Sequence, residues 1–191
     1  MIQPQSPFEL SDGSKLRFHT PDDADAVARA VRESLEHLRP WMPWADEQSA
    51  KPAFQVERIR KMPELARRQE EWQYGLFAAD ESRVLGSFGL MTRRGPGTIE
   101  IGYWVHVDAI GHGHATRATR RLAEHALSLD GVRQVVICCD EANERSAAIP
   151  RRLGFSLVRV ESRPPEAPGE RGRLMIWTLD RGQPMRQTPV D

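Results

Sequence analysis

Two glycines and two histidines alternate in "AIGHGHATRA" at residues 109–118, directly after the apolar run "IEIGYWVHV". Glycine lets the main chain approach a ligand closely. Backbone N–H groups at the start of a helix have no partner within that helix and favour an anion. Gly111 and Gly113 in this context therefore indicate a loop that binds a phosphate group.

The same stretch raises a metal site as an alternative, because histidine and cysteine are ligands of zinc and copper. The residues that could take part are His106, His112, His114, Cys138 and Cys139. Their spacing does not match a known ligand set, so we expect no metal. Solvated histidines on a surface turn are the simpler alternative.

Three further residues could take part in acid–base chemistry. Glu100 begins the "EIGYWV" segment and is a candidate general base acting through water; an ordinary solvated strand residue is an equal alternative. Asn143 and Ser146 stand three residues apart in "NERSAAIPRRLGF". Either could bind a ligand or simply cap a short helix.

These residues must be positioned by the elements around them, which the apolar periodicity predicts. Two helices follow a first strand near residue 15, the second helix over residues 46–68. Three strands joined by short turns then predict an antiparallel meander. A helix after Gly113, the strand "RQVVICC", a short helix ending at Gly154 and two last strands complete the chain. The order predicts a mixed α/β sheet with a parallel crossover in its middle.

The composition excludes several classes of protein. The 191 residues fit one domain, and 27 basic residues balance 27 acidic ones. A protein built mainly to bind nucleic acid or an anionic membrane would carry a basic excess. No apolar run reaches the roughly 18 residues of a membrane span, and the N-terminus has no signal-peptide pattern. We therefore expect a cytoplasmic protein, with one domain over residues 1–180 and a frayed tail over 181–191.

Taken together, "EIGYWV", "GHGHAT" and "ICCDEANERSAAIPRRLGF" resemble the GNAT superfamily of N-acetyltransferases, and within it the RimJ/RimL-type branch. "EHLRPWMPWA" in the N-terminal region also resembles that branch. The resemblance covers roughly residues 8–180. It implies a mostly antiparallel sheet with a central parallel strand pair splayed around acyl-CoA and flanked by about four helices. One position departs from the family: Ile110 stands where the phosphate loop usually has Arg or Gln.

The resemblance also implies roles for named residues. Acetyl-CoA would be the co-substrate, with Glu100 as base and Ser146 as hydrogen-bond donor to the departing sulfur. The predicted cofactor-binding residues are Trp104, Val105, His106, Val107, Ile110, Gly111, His112, Gly113, His114, Ala115, Thr116, Asn143 and Ser146. Arg117, Arg120 and Arg121 could pair with the phosphates, or form a solvated helix face.

The acceptor is an amine, and the branch suggests a protein or peptide N-terminus. A small-molecule amine is the alternative, as is a non-catalytic module that only binds acyl-CoA. Trp41 and Trp44 either line the acceptor pocket or fill the core. Cys138 or Cys139 could form an acetyl-cysteine intermediate, although a free cysteine is often only a small buried hydrophobe. A homodimer is expected from the family alone.

Overall fold

The structure, a computed structural model, describes residues 2–186. Its strands are β1 (Phe8–Glu9), β2 (Lys15–Phe18), β3 (Glu71–Phe77), β4 (Val84–Met91), β5 (Thr98–Val105), β6 (Gln134–Asp140), β7 (Ser156–Ser162) and β8 (Arg173–Asp180). Its helices are α1 (Ala24–Leu38), α2 (Pro52–Arg67), α3 (His114–Ser128) and α4 (Glu144–Leu153). A 3-10 turn over Pro21–Asp23 leads into α1, and a second covers Val107–Ala109.

All eight strands belong to one open sheet, in the order β1-β2-β3-β4-β5-β6-β8-β7. Every pair is antiparallel except β5 and β6. That parallel pair is short, because its register runs only from Thr98 opposite Gln134 to Glu100 opposite Val136. Beyond Glu100 the two strands diverge. The predicted mixed fold, with its splayed central pair and four helices, is confirmed.

The residues on either side of this splay form the main core. Ile99 and Ile101 of β5, Val135 and Ile137 of β6, and Leu122 of α3 are all buried in one cluster. The small residues Ala118, Ala123 and Ala126 let α3 lie close to the sheet. This packing holds the first halves of β5 and β6 together and so fixes the point at which they separate.

One predicted boundary is wrong, and one strand was not predicted. The second helix begins at Pro52 and not at residue 46, because Asp46 and Ser49 bond to each other in a closed turn instead. Pro52 then takes the first helical position, where the missing N–H costs nothing. The prediction also missed β1, whose two residues are too few to show alternation.

The start of the predicted tail is held against the domain. The Arg181 N–H donates to the Arg133 carbonyl at 2.8 Å, and that of Arg186 to the Leu153 carbonyl at 3.1 Å. Residues 187–191 lie outside the described residues. No helix within residues 2–186 is long and apolar enough to cross a membrane.

Candidate active site

The divergence of β5 from β6 opens a cavity of about 560 Å³. Its inner wall carries Glu100 and Tyr103 from β5, Cys138 from β6 and Ser146 from α4. From there it extends between α2, the segment after α1, and the loop that joins β7 to β8. Main-chain groups of β5 beyond Glu100 have no partner in β6, so this edge can bind an extended ligand through its backbone.

The glycine loop lies at the N-terminus of α3. Gly111 and Gly113 both have left-handed backbones, with φ of +84° and +75°, which side chains other than glycine rarely adopt. Gly113 is the cap residue and no side chain caps the helix. The first intrahelical bond is donated by Arg117 to the Gly113 carbonyl at 3.0 Å. The N–H groups of His114, Ala115 and Thr116 therefore precede the helical ladder, as an anion site requires.

Arg117 folds back over this loop. Its guanidinium donates to the His112 carbonyl at 2.6 Å and pairs with Asp12 from the β1–β2 turn. His114 Nδ1 lies 2.9 Å from the same carboxylate. Burial would raise the pKa of Asp12, but bonds from Ser14 and Arg117 outweigh it and lower the pKa to about 2. Arg117 thus lies against His112 and Gly113 of the loop, and its charge is paired with that of Asp12.

Two of the predicted backbone ligands are already engaged within the protein. The N–H of His106 donates to the Leu85 carbonyl at 2.9 Å, and that of Val107 to Ser34 Oγ at 3.1 Å. The His106 ring is buried against Glu33. Trp104, two residues before His106 and opposite Ser87, also directs its main-chain groups towards β4. A ligand along this strand therefore has Val105 as the nearer backbone contact.

Glu100 lies in the cavity wall but is not a solvated strand residue. It is 3% exposed, and its carboxylate pairs with both Arg93 and Arg94, the latter at 2.6 Å. Burial would raise the pKa of Glu100, yet the two guanidinium groups outweigh burial and lower it. The carboxylate therefore stays ionised, and it binds a proton more weakly than a free glutamate. Its role as a base acting through water stays a prediction.

Ser146 and Asn143 lie at the start of α4. Asn143 caps the helix, because its Oδ1 accepts from the Ser146 N–H at 3.1 Å. The Ser146 hydroxyl is free of that bond and lies 3.3 Å from the Tyr103 hydroxyl. The sequence argument missed Tyr103, although an aromatic hydroxyl three residues after Glu100 in "EIGYWV" is a usable signal. Burial raises the pKa of Tyr103, so its proton stays on the oxygen.

The two cysteines differ in exposure but share one property. Cys139 is buried and Cys138 is half-buried, with an N–H of Arg94 at 3.0 Å from its sulfur. Burial raises the pKa of Cys138 to about 12 and that of Cys139 to about 11. Because the thiolate is the nucleophilic form, both residues are poor candidates for an acetylated intermediate.

Trp41 and Trp44 both line the cavity, and neither is a core residue. Trp44 is 40% exposed, and its ring lies 6.3 Å from that of Trp104. Both side chains can therefore contact a ligand that enters the cavity, and their contact with an acceptor stays a prediction.

The loop over residues 163–172 closes the cavity opposite α2. The Gly169 N–H donates to the Pro40 carbonyl at 2.8 Å. Asp140, at the end of β6, anchors the loop by accepting from the N–H groups of Arg171 and Arg173. The same carboxylate accepts from Ala142 in the turn before α4. The sequence argument missed this residue.

The histidines do not form a metal centre. Within residues 2–186 no three side chains of His, Cys, Asp or Glu come together in a way that could hold an ion. His106 is bonded to Glu33 and His114 to Asp12, while His112 only approaches His114, with ring centres 6.1 Å apart.

Residues 15–156, well over half of the chain, match the family model described as "Acetyltransferase (GNAT) domain". YdaF of Bacillus subtilis (strain 168), provisionally named as a ribosomal N-acetyltransferase, is 29% identical over 154 residues, or 77% of this chain and 80% of YdaF. The ribosomal-protein-S5-alanine acetyltransferase of Vibrio fischeri superposes with a TM-score of 0.83 at 18% identity, covering 93% of this chain and 98% of that one. RimL, a ribosomal L7/L12 acetyltransferase in complex with coenzyme A, gives a TM-score of 0.81 at 18% identity, with coverages of 92% and 98%. The motif resemblance is confirmed, and the chain belongs to the GNAT family of acetyltransferases.

Proposed function

We propose that the protein transfers the acetyl group of acetyl-CoA to the α-amino group of a protein or peptide N-terminus, by direct attack in a ternary complex. The observation that carries this proposal is the continuity of the site. One cavity runs from the splay of β5 and β6, where a thioester would lie, to the aromatic wall formed by Trp41 and Trp44. Both reactants can therefore be bound at once.

The cofactor half of the proposal rests on the main chain. The N–H groups at the start of α3 suit the pyrophosphate, and the unpaired edge of β5 suits the amide groups of the pantetheine arm. A backbone N–H of β5 beyond Glu100 would also polarise the thioester carbonyl as negative charge develops on its oxygen. The backbone groups concerned are those of Val105 and of Gly111 to Thr116.

The proton transfers rest on side chains. We assign the protonation of the leaving thiolate to the Ser146 hydroxyl. The Tyr103 hydroxyl, 3.3 Å away, orients the Ser146 hydroxyl. An amine with a pKa of about 8 to 9 is partly neutral near pH 7 and needs modest help to lose its proton. Glu100, acting through water, is the proposed acceptor, and its two arginine partners keep this contribution small. Direct attack of the amine on the thioester fits the raised pKa of both cysteines, because neither thiol is ionised enough to accept the acetyl group first.

A peptide N-terminus fits the family members above, which are named for ribosomal proteins. The enclosing aromatic wall favours a second candidate, a small-molecule amine, because 560 Å³ is typical of a small-molecule pocket. A peptide would then enter with only its first few residues. Action in the cytoplasm and a homodimer remain part of the proposal, and they rest on the family alone.

The test is release of the CoA thiol from acetyl-CoA in the presence of amidated peptides, polyamines, amino acids and aminoglycosides. We expect turnover of the peptides alone. The rate of thiol release should fall about 10- to 100-fold in Ser146→Ala, because one transition-state hydrogen bond is lost. Ser128→Ala on the exposed side of α3 is the matched control and should leave the rate unchanged. Turnover of a small amine alone would support the second candidate. Tight binding of acetyl-CoA with no turnover of any amine would indicate a binding module.

A further inference from the structure

Within residues 2–186 four arginines line the cavity, and three of them pair with carboxylates. Arg93 and Arg94 share Glu100, and Arg163 pairs with Glu166 and Glu170 at 2.8 Å each. Arg58 of α2 is the exception. Among residues 2–186 its guanidinium bonds only to two neutral amides, Gln55 Oε1 at 3.3 Å and Gln73 Oε1 at 3.2 Å. A cation therefore faces the cavity without a carboxylate in hydrogen-bond contact.

Both amides that hold Arg58 are themselves fixed. Gln55 is buried, and its amide nitrogen donates to the Ser49 carbonyl at 2.6 Å. The amide nitrogen of Gln73 donates to Glu71, and its oxygen also accepts from Ser87. Since a guanidinium can only donate, this arrangement obliges both glutamine oxygens to face Arg58. The guanidinium is preorganised before any ligand arrives.

The surroundings of Arg58 make an anion favourable. Burial lowers the pKa of Arg58, which means that its charge has lost solvation; an arginine nonetheless remains ionised in proteins. The charge of Glu71 raises the pKa of Arg58 from a distance, but Glu71 is bonded to Gln73 and makes no ion pair with Arg58. A carboxylate entering the cavity would replace the missing solvation with a two-pronged, charge-assisted contact.

We infer that Arg58 binds a carboxylate of the acceptor, so that the enzyme selects amines that carry a nearby acidic group. This inference rests on the proposed acetyl transfer and adds a substrate class to it. The carboxylate could belong to an aspartate or glutamate side chain near a peptide N-terminus, or to a free acidic amino acid. Arg58 would then determine specificity without taking part in the chemical step.

The test compares amidated tetrapeptides that begin with alanine and carry Asp, Asn or Lys at residue 2 or 3. Free aspartate and glutamate and their amides form a second arm. For the wild-type enzyme we expect kcat/KM for one Asp peptide to exceed that of its Asn twin by about 10- to 100-fold, mostly through KM. Arg58→Gln should remove this preference, Arg58→Lys should restore part of it, and Arg58→Glu should favour Lys.

Arg60→Gln is the matched control, because Arg60 lies on the same helix with its side chain 64% exposed and paired with Glu57. It should keep the preference for Asp. Equal use of the Asp and Asn peptides by the wild-type enzyme would overturn the inference and leave acetyl transfer intact. A preference confined to free aspartate or glutamate would support it with a small-molecule acceptor. Failure to acetylate any amine would overturn the proposed function, and this inference with it.

Discussion

The two ends of the proposed site differ in the kind of protein group that would contact a ligand. At the proposed cofactor end, the candidate ligand groups are main-chain atoms of β5 and of the loop before α3, and both come from one continuous stretch, residues 98–116. At the proposed acceptor end they are side chains from residues 41–67 and from the loop 163–172, two segments that are far apart in sequence. A site built from main-chain atoms depends on the sequence only at a few glycines and at the start of one helix. A side-chain site can change its chemistry with each substitution.

Gly111→Val should break the cofactor end most severely. Gly111 has φ of +84° and open space around its Cβ direction, so a valine strains the loop and projects into the ligand's place. We expect acetyl-CoA affinity to fall about 100-fold, measured by calorimetric titration. Gly95→Val is the control, since Gly95 also has positive φ, at +97°, and open space. Comparable loss of affinity in both variants would contradict a phosphate loop at Gly111.

Glu100→Gln tests whether the cofactor end depends on side chains as well. Removing this carboxylate leaves Arg93 and Arg94 without their shared partner, and we expect a loss of about 1 to 3 kcal/mol in unfolding free energy at pH 7. The folded-state pKa of Glu100 is lowered. Its contribution is therefore present above the unfolded pKa, near 4.3, and is lost as the pH falls through the folded value.

Urea melts of wild type and Glu100→Gln, at pH 7 and at a series of lower pH values, would measure the difference in unfolding free energy as a function of pH. The two curves should converge in acid. A constant difference at every pH would mean that the ion pairs contribute nothing and that shape alone explains the loss.

Trp44→Ala should sharpen the contrast by affecting the acceptor end alone. The side chain is 40% exposed and contacts Trp104, so we expect KM for the acceptor to rise about 10-fold through lost aromatic contact. Acetyl-CoA affinity should stay unchanged. Leu157→Ala, at a 45% exposed position on β7, controls for loss of surface apolar area. An equal rise in both substrates' KM would place Trp44 in the general fold and not in the acceptor pocket.

The smallest effect is expected at the cysteines. Cys138→Ser should retain activity within about twofold, since a thiol with a pKa of about 12 is almost wholly protonated near neutral pH. Alkylation of the wild-type enzyme by iodoacetamide at pH 8 should be more than about 100-fold slower than that of free cysteine. The rate should rise with pH towards 11. Fast alkylation at pH 8 that stops turnover would instead favour a covalent intermediate.

The contrast between local main-chain features and side-chain contacts across the fold also determines how much of the molecule the sequence alone could predict. Helix α3, the β3–β4–β5 meander and the glycine loop follow from local periodicity and glycine placement, and they were predicted. Asp140, Arg58 and Tyr103 were missed because their importance lies in contacts across the fold: Asp140 bonds to residues 31 and 33 positions away. The ion pairs of Glu100 with Arg93 and Arg94 depend on how the β4–β5 turn folds back, which spacing does not reveal.

The hydrogen bonds of Asp140 carry a practical consequence for protein engineering. One buried carboxylate fixes both the turn before α4, which holds Ser146, and the far end of the loop 163–172. The loop also rests on Pro40 through Gly169. Residues 164–168 lie between two fixed points, the bond from the Arg163 N–H to the Gly172 carbonyl at 2.9 Å and the bond from Gly169 to Pro40. Ala167 is buried, and Glu166 lines the cavity. Substitutions at Glu166 would vary this wall of the cavity, while Asp140 keeps the turn before Ser146 in place.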